Sequence, residues 1–198
     1  MTQRTDTHPP TQPQMAPGLF FQQVAELFDY VPQMGEDIAS RPRHGMHCLE
    51  FLRHLQAGPT PEESATLLAY SLQPRHALWW GHECLQASPD LVTDQDRVML
   101  ALIAAWVAEP DEDHRYAALD AGMAEPVRSP GGWLALAAGW SGGSMSGPGL
   151  PAVPPPRYLM GRALNAGVHS ALARVPQNRR RRMLDHYVSI GEVLAKSG

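Results

Sequence analysis

The sequence predicts an all-α fold: an irregular bundle of about seven to nine helices stacked as antiparallel hairpins, with a Gly/Pro-rich loop before the last two. Three observations carry this reading. Apolar side chains recur at helical spacing from end to end, and no segment alternates with the period of two that a strand requires. Helix start and stop residues punctuate each apolar stretch, and no Asn-Gly or Asp-Gly hairpin signal interrupts them. No fixed repeat length is present, so an irregular bundle is favoured over a solenoid.

Taken in order, residues 1–17 read MTQRTDTHPPTQPQMAP and offer too little apolar surface to offset the entropy of ordering. A disordered tail is expected there, with a single helical domain over 18–198. Phe20, Val24, Leu27, Phe28 and Val31 form the first stripe, closed by Pro32. Cys48, Leu49, Leu52 and Leu55 form the second, stopped by Gly58 and Pro59. Thr60-Pro61-Glu62-Glu63 reads as a capping box, with Glu63 returning a hydrogen bond to the cap. Ala65, Leu68 and Leu72 face the core of that helix, and Pro74 ends or kinks it.

Leu78, Trp79, His82 and Leu85 carry the next helix, to about Ser88. Thr93 with Asp96 opens the most apolar one, which Glu109-Pro110 stops. Asp111, Glu112 and Asp113 suit a helix N-terminus ahead of Tyr116–Met123, and Ser129-Pro130 opens a short helix through Trp133. The Gly/Pro-rich loop spans 141–156, and two helices, about 157–174 and 178–196, complete the chain. Trp140, Leu150 and Val153 are expected to anchor that loop across the bundle, because its prolines lower the entropy cost of ordering it.

Composition excludes several function classes. With 16 basic and 20 acidic side chains the net charge is −4, which does not favour a nucleic-acid partner. No apolar run is long enough for membrane insertion. Two cysteines, Cys48 and Cys84, make no disulfide framework, and the polar N-terminus lacks the apolar stretch of a secretory signal, so a cytoplasmic location is expected.

Candidate chemistry is sparse. His44, His47 and Cys48 lie close together, as do His82, Glu83 and Cys84, but neither group has the spacing of a four-ligand zinc site, and no metal is expected. No glycine-rich phosphate loop or dinucleotide fingerprint occurs, so no cofactor is expected. Ser141 is flanked by glycine but follows no strand, and Asp111 or Asp113 beside His114 is explained by a solvated helix start.

The candidate partner-binding residues are of three kinds. Trp79 and Trp80 point about 100° apart on one helix; core packing accounts for both, and a tryptophan left facing outward makes an interface hot spot. Pro154, Pro155 and Pro156 preset a stiff polyproline II shape that packs on the protein or meets a partner. Arg179, Arg180, Arg181 and Arg182 crowd the positive end of a helix. Asp185 is the nearby acid for Arg181 or Arg182, and changing Arg179, Arg180 and Arg181 to Glu is expected to leave folding nearly intact while weakening partner capture.

From residue 74 onward the chain resembles an uncharacterised bacterial family of small helical proteins associated with type VI secretion gene clusters. The resemblance rests on Pro74-Arg75 with Trp79-Trp80, on Trp106 before Pro110, on Gly132-Trp133 and on Trp140-Ser141-Gly142-Gly143-Ser144. Leu150-Pro151, Pro154–Pro156 and the final helical pair continue it. It adds Trp140, Ser141, Gly142 and Gly143 to the candidate residues and transfers no catalytic residue. It implies a non-enzymatic cytoplasmic binding protein, an accessory or co-chaperone that contacts type VI secretion cargo or its adaptor. The alternatives are an enzyme of unknown reaction with a site near the 139–146 loop, and an immunity protein neutralising a toxin.

Overall fold

The computed structural model describes residues 18–147 and 149–197, so the tail expected at 1–17 lies outside the described residues. Ten α-helices and one short 3-10 turn are present among them: α1 Val24–Tyr30, α2 Met34–Asp37, α3 Cys48–Gln56, α4 Glu63–Ser71 and α5 Pro74–Gln86, then α6 Asp94–Ala108, α7 Glu112–Ala124, α8 Pro130–Gly139, α9 Arg157–Arg174 and α10 Gln177–Lys196. Extended pairing among the described residues is confined to isolated bridges, Leu19 with Leu72 and Gln23 with His47. The all-α expectation holds. The surplus over the expected helix count includes the four-residue α2, too short to show a stripe.

Local capping sets several boundaries. Thr93 accepts from the Asp96 N–H at 3.1 Å while Asp96 accepts from the Thr93 N–H at 3.0 Å, a complete capping box. Asp111 and Ser129 cap α7 and α8 through the His114 and Gly132 amides. Pro74 occupies the first turn of α5, where its missing N–H costs nothing.

Two expectations fail for tertiary reasons. Phe20 does not begin a helix. Residues 18–23 form an irregular segment with bridges at Leu19 and Gln23, held by Phe20 N–H to Ser71 O and Gln73 N–H to Gly18 O, both 2.9 Å, and Leu19 is in the core. Glu63 does not close a capping box either. Its carboxylate accepts from the Ala39 and Ser40 amides at 2.8 and 3.3 Å. All nine residues of α4 are buried, so a carboxylate at its start must be satisfied by whichever segment covers it.

One continuous apolar cluster runs through the bundle. Helix α8 packs against α6, α7 and α9, and α5 links this half to α10 and α4. Gly161 lets α9 approach the Tyr70 ring so closely that a Cβ there would overlap it. Trp80 is fully buried and donates its indole N–H to the Tyr187 carbonyl at 2.8 Å. Asp96, also fully buried, additionally accepts from the Thr93 hydroxyl, the Gly131 N–H and Arg174, pinning the start of α6 to α8 and to the end of α9.

Candidate functional site

At the C-terminal end of α8 the chain turns through the motif singled out by sequence. Trp140 closes the helix with its N–H on the Leu136 carbonyl, and the Ser141 hydroxyl donates to the Ala138 carbonyl at 2.7 Å. Gly143 follows with φ of +61°, a left-handed conformation, and a Cβ there would also strike Glu112 and Arg115. The Arg115 side chain is 2% exposed. It grips Glu112 through two hydrogen bonds of 2.8 and 2.7 Å and donates a third to the Gly139 carbonyl at 2.6 Å.

The loop beyond is held by polar bonds. The Ser144 hydroxyl accepts from the Ser146 and Val153 amides at 3.0 and 2.9 Å, and the Tyr116 hydroxyl donates to the Ser146 carbonyl at 2.7 Å. The expected anchors Leu150 and Val153 are instead 66% and 45% exposed. Short polar side chains satisfy the backbone of a tight Gly/Pro turn better than aliphatic ones, which cannot reach the core from it.

This loop returns Pro154, Pro155 and Pro156 to the Trp140–Gly143 turn. Together they line a pocket of about 250 Å³. Phe20, Tyr30 and Tyr70 complete the aromatic lining, and Arg157 is at the rim. Tyr70 donates its hydroxyl to Asp37, which also accepts from Arg162 at 3.2 Å; Arg162 reaches Glu36 at 2.9 Å. Burial, reinforced by the Asp37 hydrogen bond, pushes the Tyr70 phenol far above its ordinary range, so it stays neutral. Arg157, an exposed residue, places its guanidinium 4.3 Å from the centroid of the Tyr30 ring. The hydroxyls of Ser141 and Tyr70 are thus committed to structural partners, and neither sits beside a free base.

Sequence reasoning found the turn and the prolines but missed Phe20, Tyr30, Tyr70 and Arg157. Phe20 and Tyr30 sit on or beside a stripe read as core, and no short-range spacing links them to residue 140.

The other candidates lie elsewhere. Trp80 is a core residue and leaves the partner-facing set. Trp79, 36% exposed, stacks on His82 with ring centroids 4.7 Å apart. It lines a second pocket of about 440 Å³ with Trp106 and Leu194, which shares Pro74 with the first. Arg179–Arg182 are on α10, beyond the end of α9 opposite its pocket-lining first turn, and none of them lines the first pocket.

Two of the four arginines are spent internally. Arg180 donates to the Val175 and Ala173 carbonyls, both at 2.8 Å, and Arg181 pairs with Asp185 and donates to the Gln56 carbonyl. Charge reversal at Arg179, Arg180 and Arg181 would therefore remove bonds that Arg180 and Arg181 make within the chain. Arg180→Ala should lose about 1 kcal/mol, whereas Arg179→Glu with Arg182→Glu should shift Tm by less than about 2 °C. Circular-dichroism melts check this, and an undisturbed Arg180→Ala would show that those bonds contribute nothing.

His47 and His114 serve structural roles. His47 caps α3 by accepting from the Leu49 N–H at 3.1 Å, with its Nε2 2.7 Å from Gln22 Oε1. Among the described residues, Glu109, Asp111 and His114 bring ligand atoms within 4.8 Å of one another, but Glu109 and Asp111 are exposed and Asp111 is already a helix cap. Burial, with a smaller contribution from Glu26, pushes the Cys48 thiol up to about 12, and burial raises the Cys84 thiol as well, so neither is a ready nucleophile. No helix among the described residues is long and apolar enough to cross a membrane.

Residues 51–195 match the model of a family described as a family of unknown function, DUF6931. No curated protein and no solved structure matches the chain.

Proposed function

The chain belongs to the DUF6931 family of unknown function, and from that premise we propose that it is a non-enzymatic binding protein that captures a partner polypeptide at the Trp140–Gly143 and Pro154–Pro156 pocket. The observation that carries this reading is the convergence of both motifs with the Phe20 and Tyr30 rings on one concave surface. Partly exposed aromatic rings held on a rigid scaffold supply contact area at low entropy cost, as interface hot spots do. The committed hydroxyls of Ser141 and Tyr70 favour binding over catalysis. The narrower reading is a cytoplasmic accessory or co-chaperone for type VI secretion cargo or its adaptor. It rests on the family resemblance alone.

Coexpression with type VI adaptor and cargo proteins tests the reading. Copurification of one of them should weaken roughly thirtyfold or more for Trp140→Ala and for Tyr30→Ala, corresponding to a hot-spot loss of about 2 kcal/mol. Capture that ignores both substitutions would remove the pocket from the binding surface.

A further inference from the structure

Resting on that reading, we propose that the pocket receives an extended, proline-containing segment of a protein partner, with a carboxylate on that segment pairing with Arg157. The walls set the shape of the occupant. Phe20 and Tyr30, each 36% exposed, stand with ring centroids 6.2 Å apart, and Trp140 and the Pro154–Pro156 ridge face the same space. Pro156 itself has φ −53° and ψ 139°, the polyproline II conformation, so these rings already border one such ridge. A second preformed polyproline II segment fits an aromatic trough of this kind with little ordering cost. The size agrees. A volume of about 250 Å³ is below the ~300–1,000 Å³ usual for small-molecule sites, so it suits a few residues of a longer chain.

Charge decides the rest. Arg157 is the one arginine lining the pocket, and no lysine or acidic residue joins it there. Tyr30 holds its guanidinium in place from one face, 4.3 Å from the ring. Arg157 is exposed, and a guanidinium presents N–H donors in a fork that matches an incoming carboxylate. An apolar trough with one pre-positioned cation at its rim is complementary to an apolar segment bearing one negative charge.

Three capped peptides test this against the full chain: a proline run with a central glutamate, the same run with glutamine, and a glycine-serine run with glutamate. Binding is followed by backbone amide NMR. The proline-glutamate peptide should bind saturably and perturb the amides of Tyr30, Val31 and Trp140–Gly143. The glutamine peptide should bind about tenfold more weakly, equivalent to about 1.4 kcal/mol, and the glycine-serine peptide at least as weakly. Arg157→Gln, an exposed position whose melt should match that of the parent, should erase the glutamate-glutamine difference and keep the proline dependence. Equal affinity for the first two peptides, perturbations away from the pocket, or no saturable binding would each overturn the proposal. If partner capture depends on Trp140 while the peptides fail, this ligand chemistry falls and the binding reading stands. If the peptides behave as stated while capture ignores Trp140, the reverse holds.

Discussion

Replacing Asp96 with alanine is expected to cost about 3–5 kcal/mol, the range for removing one partner of a buried ion pair. For a chain of this size that is a fall in Tm on the order of 10 °C. Asp96 is fully buried, and its carboxylate is shared by Thr93, Gly131 and Arg174. Alanine leaves the Gly131 N–H without its acceptor and the Arg174 guanidinium, partly buried, without its counter-charge. A thermal melt decides it. A shift of only a degree or two would show that water replaces the carboxylate at no cost.

The same group predicts an acid limb of stability. Burial disfavours ionisation of Asp96, but hydrogen bonds from Arg174, Gly131 and Thr93 outweigh it and hold the carboxyl at about 2, against an ordinary 3.8. A carboxyl whose folded-state pKa is depressed contributes stability that is present above its unfolded pKa and lost as pH falls through the folded one. This group should therefore contribute on the order of 2 kcal/mol above about pH 4 and lose it toward about pH 2. Urea midpoints measured across that window should fall more steeply for the parent than for Asp96→Ala, and parallel slopes would contradict the assignment.

Arg115→Ala is expected to be the next most damaging change, at about 2–3 kcal/mol. The side chain ties the start of α7 to the end of α8 through Glu112 and the Gly139 carbonyl, and Gly143 packs over it. Its loss should also loosen the Trp140–Gly143 turn, so amide exchange there should rise by more than in α4 or α5. Arg115→Lys should recover part of the stability, because an ammonium reaches one acceptor where the guanidinium fork reaches three. Unchanged exchange at 140–143 would show that the turn is held by Ser141 and the glycine conformation alone.

How far the sequence reached can be judged residue by residue. The Thr93–Asp96 box and the Asp111 and Ser129 helix starts were legible because each is a contact between residues a few positions apart, whereas Pro74, read as the end of one helix, also begins the next. The Arg181–Asp185 pair was legible for the same reason. The pocket was only half legible. Trp140–Gly143 and Pro154–Pro156 announce a turn and a stiff ridge, but the rings of Phe20, Tyr30 and Tyr70 that face them are some 70 or more residues away.

By itself, then, the sequence determined the helical class, the capped starts of α6, α7 and α8 and the rigid pieces of the candidate site. Local backbone preference and short-range capping set these, and neither needs knowledge of the fold. Tertiary structure alone decided that Trp80 is core while its neighbour Trp79 is exposed, and that Glu63 serves Ala39 and Ser40 in place of its own helix. It also decided that Asp96 carries Arg174 as well as a cap, and that two of four adjacent arginines are occupied. A buried polar group must be satisfied by whatever lies nearest in space, and which segment that is depends on how the helices cross.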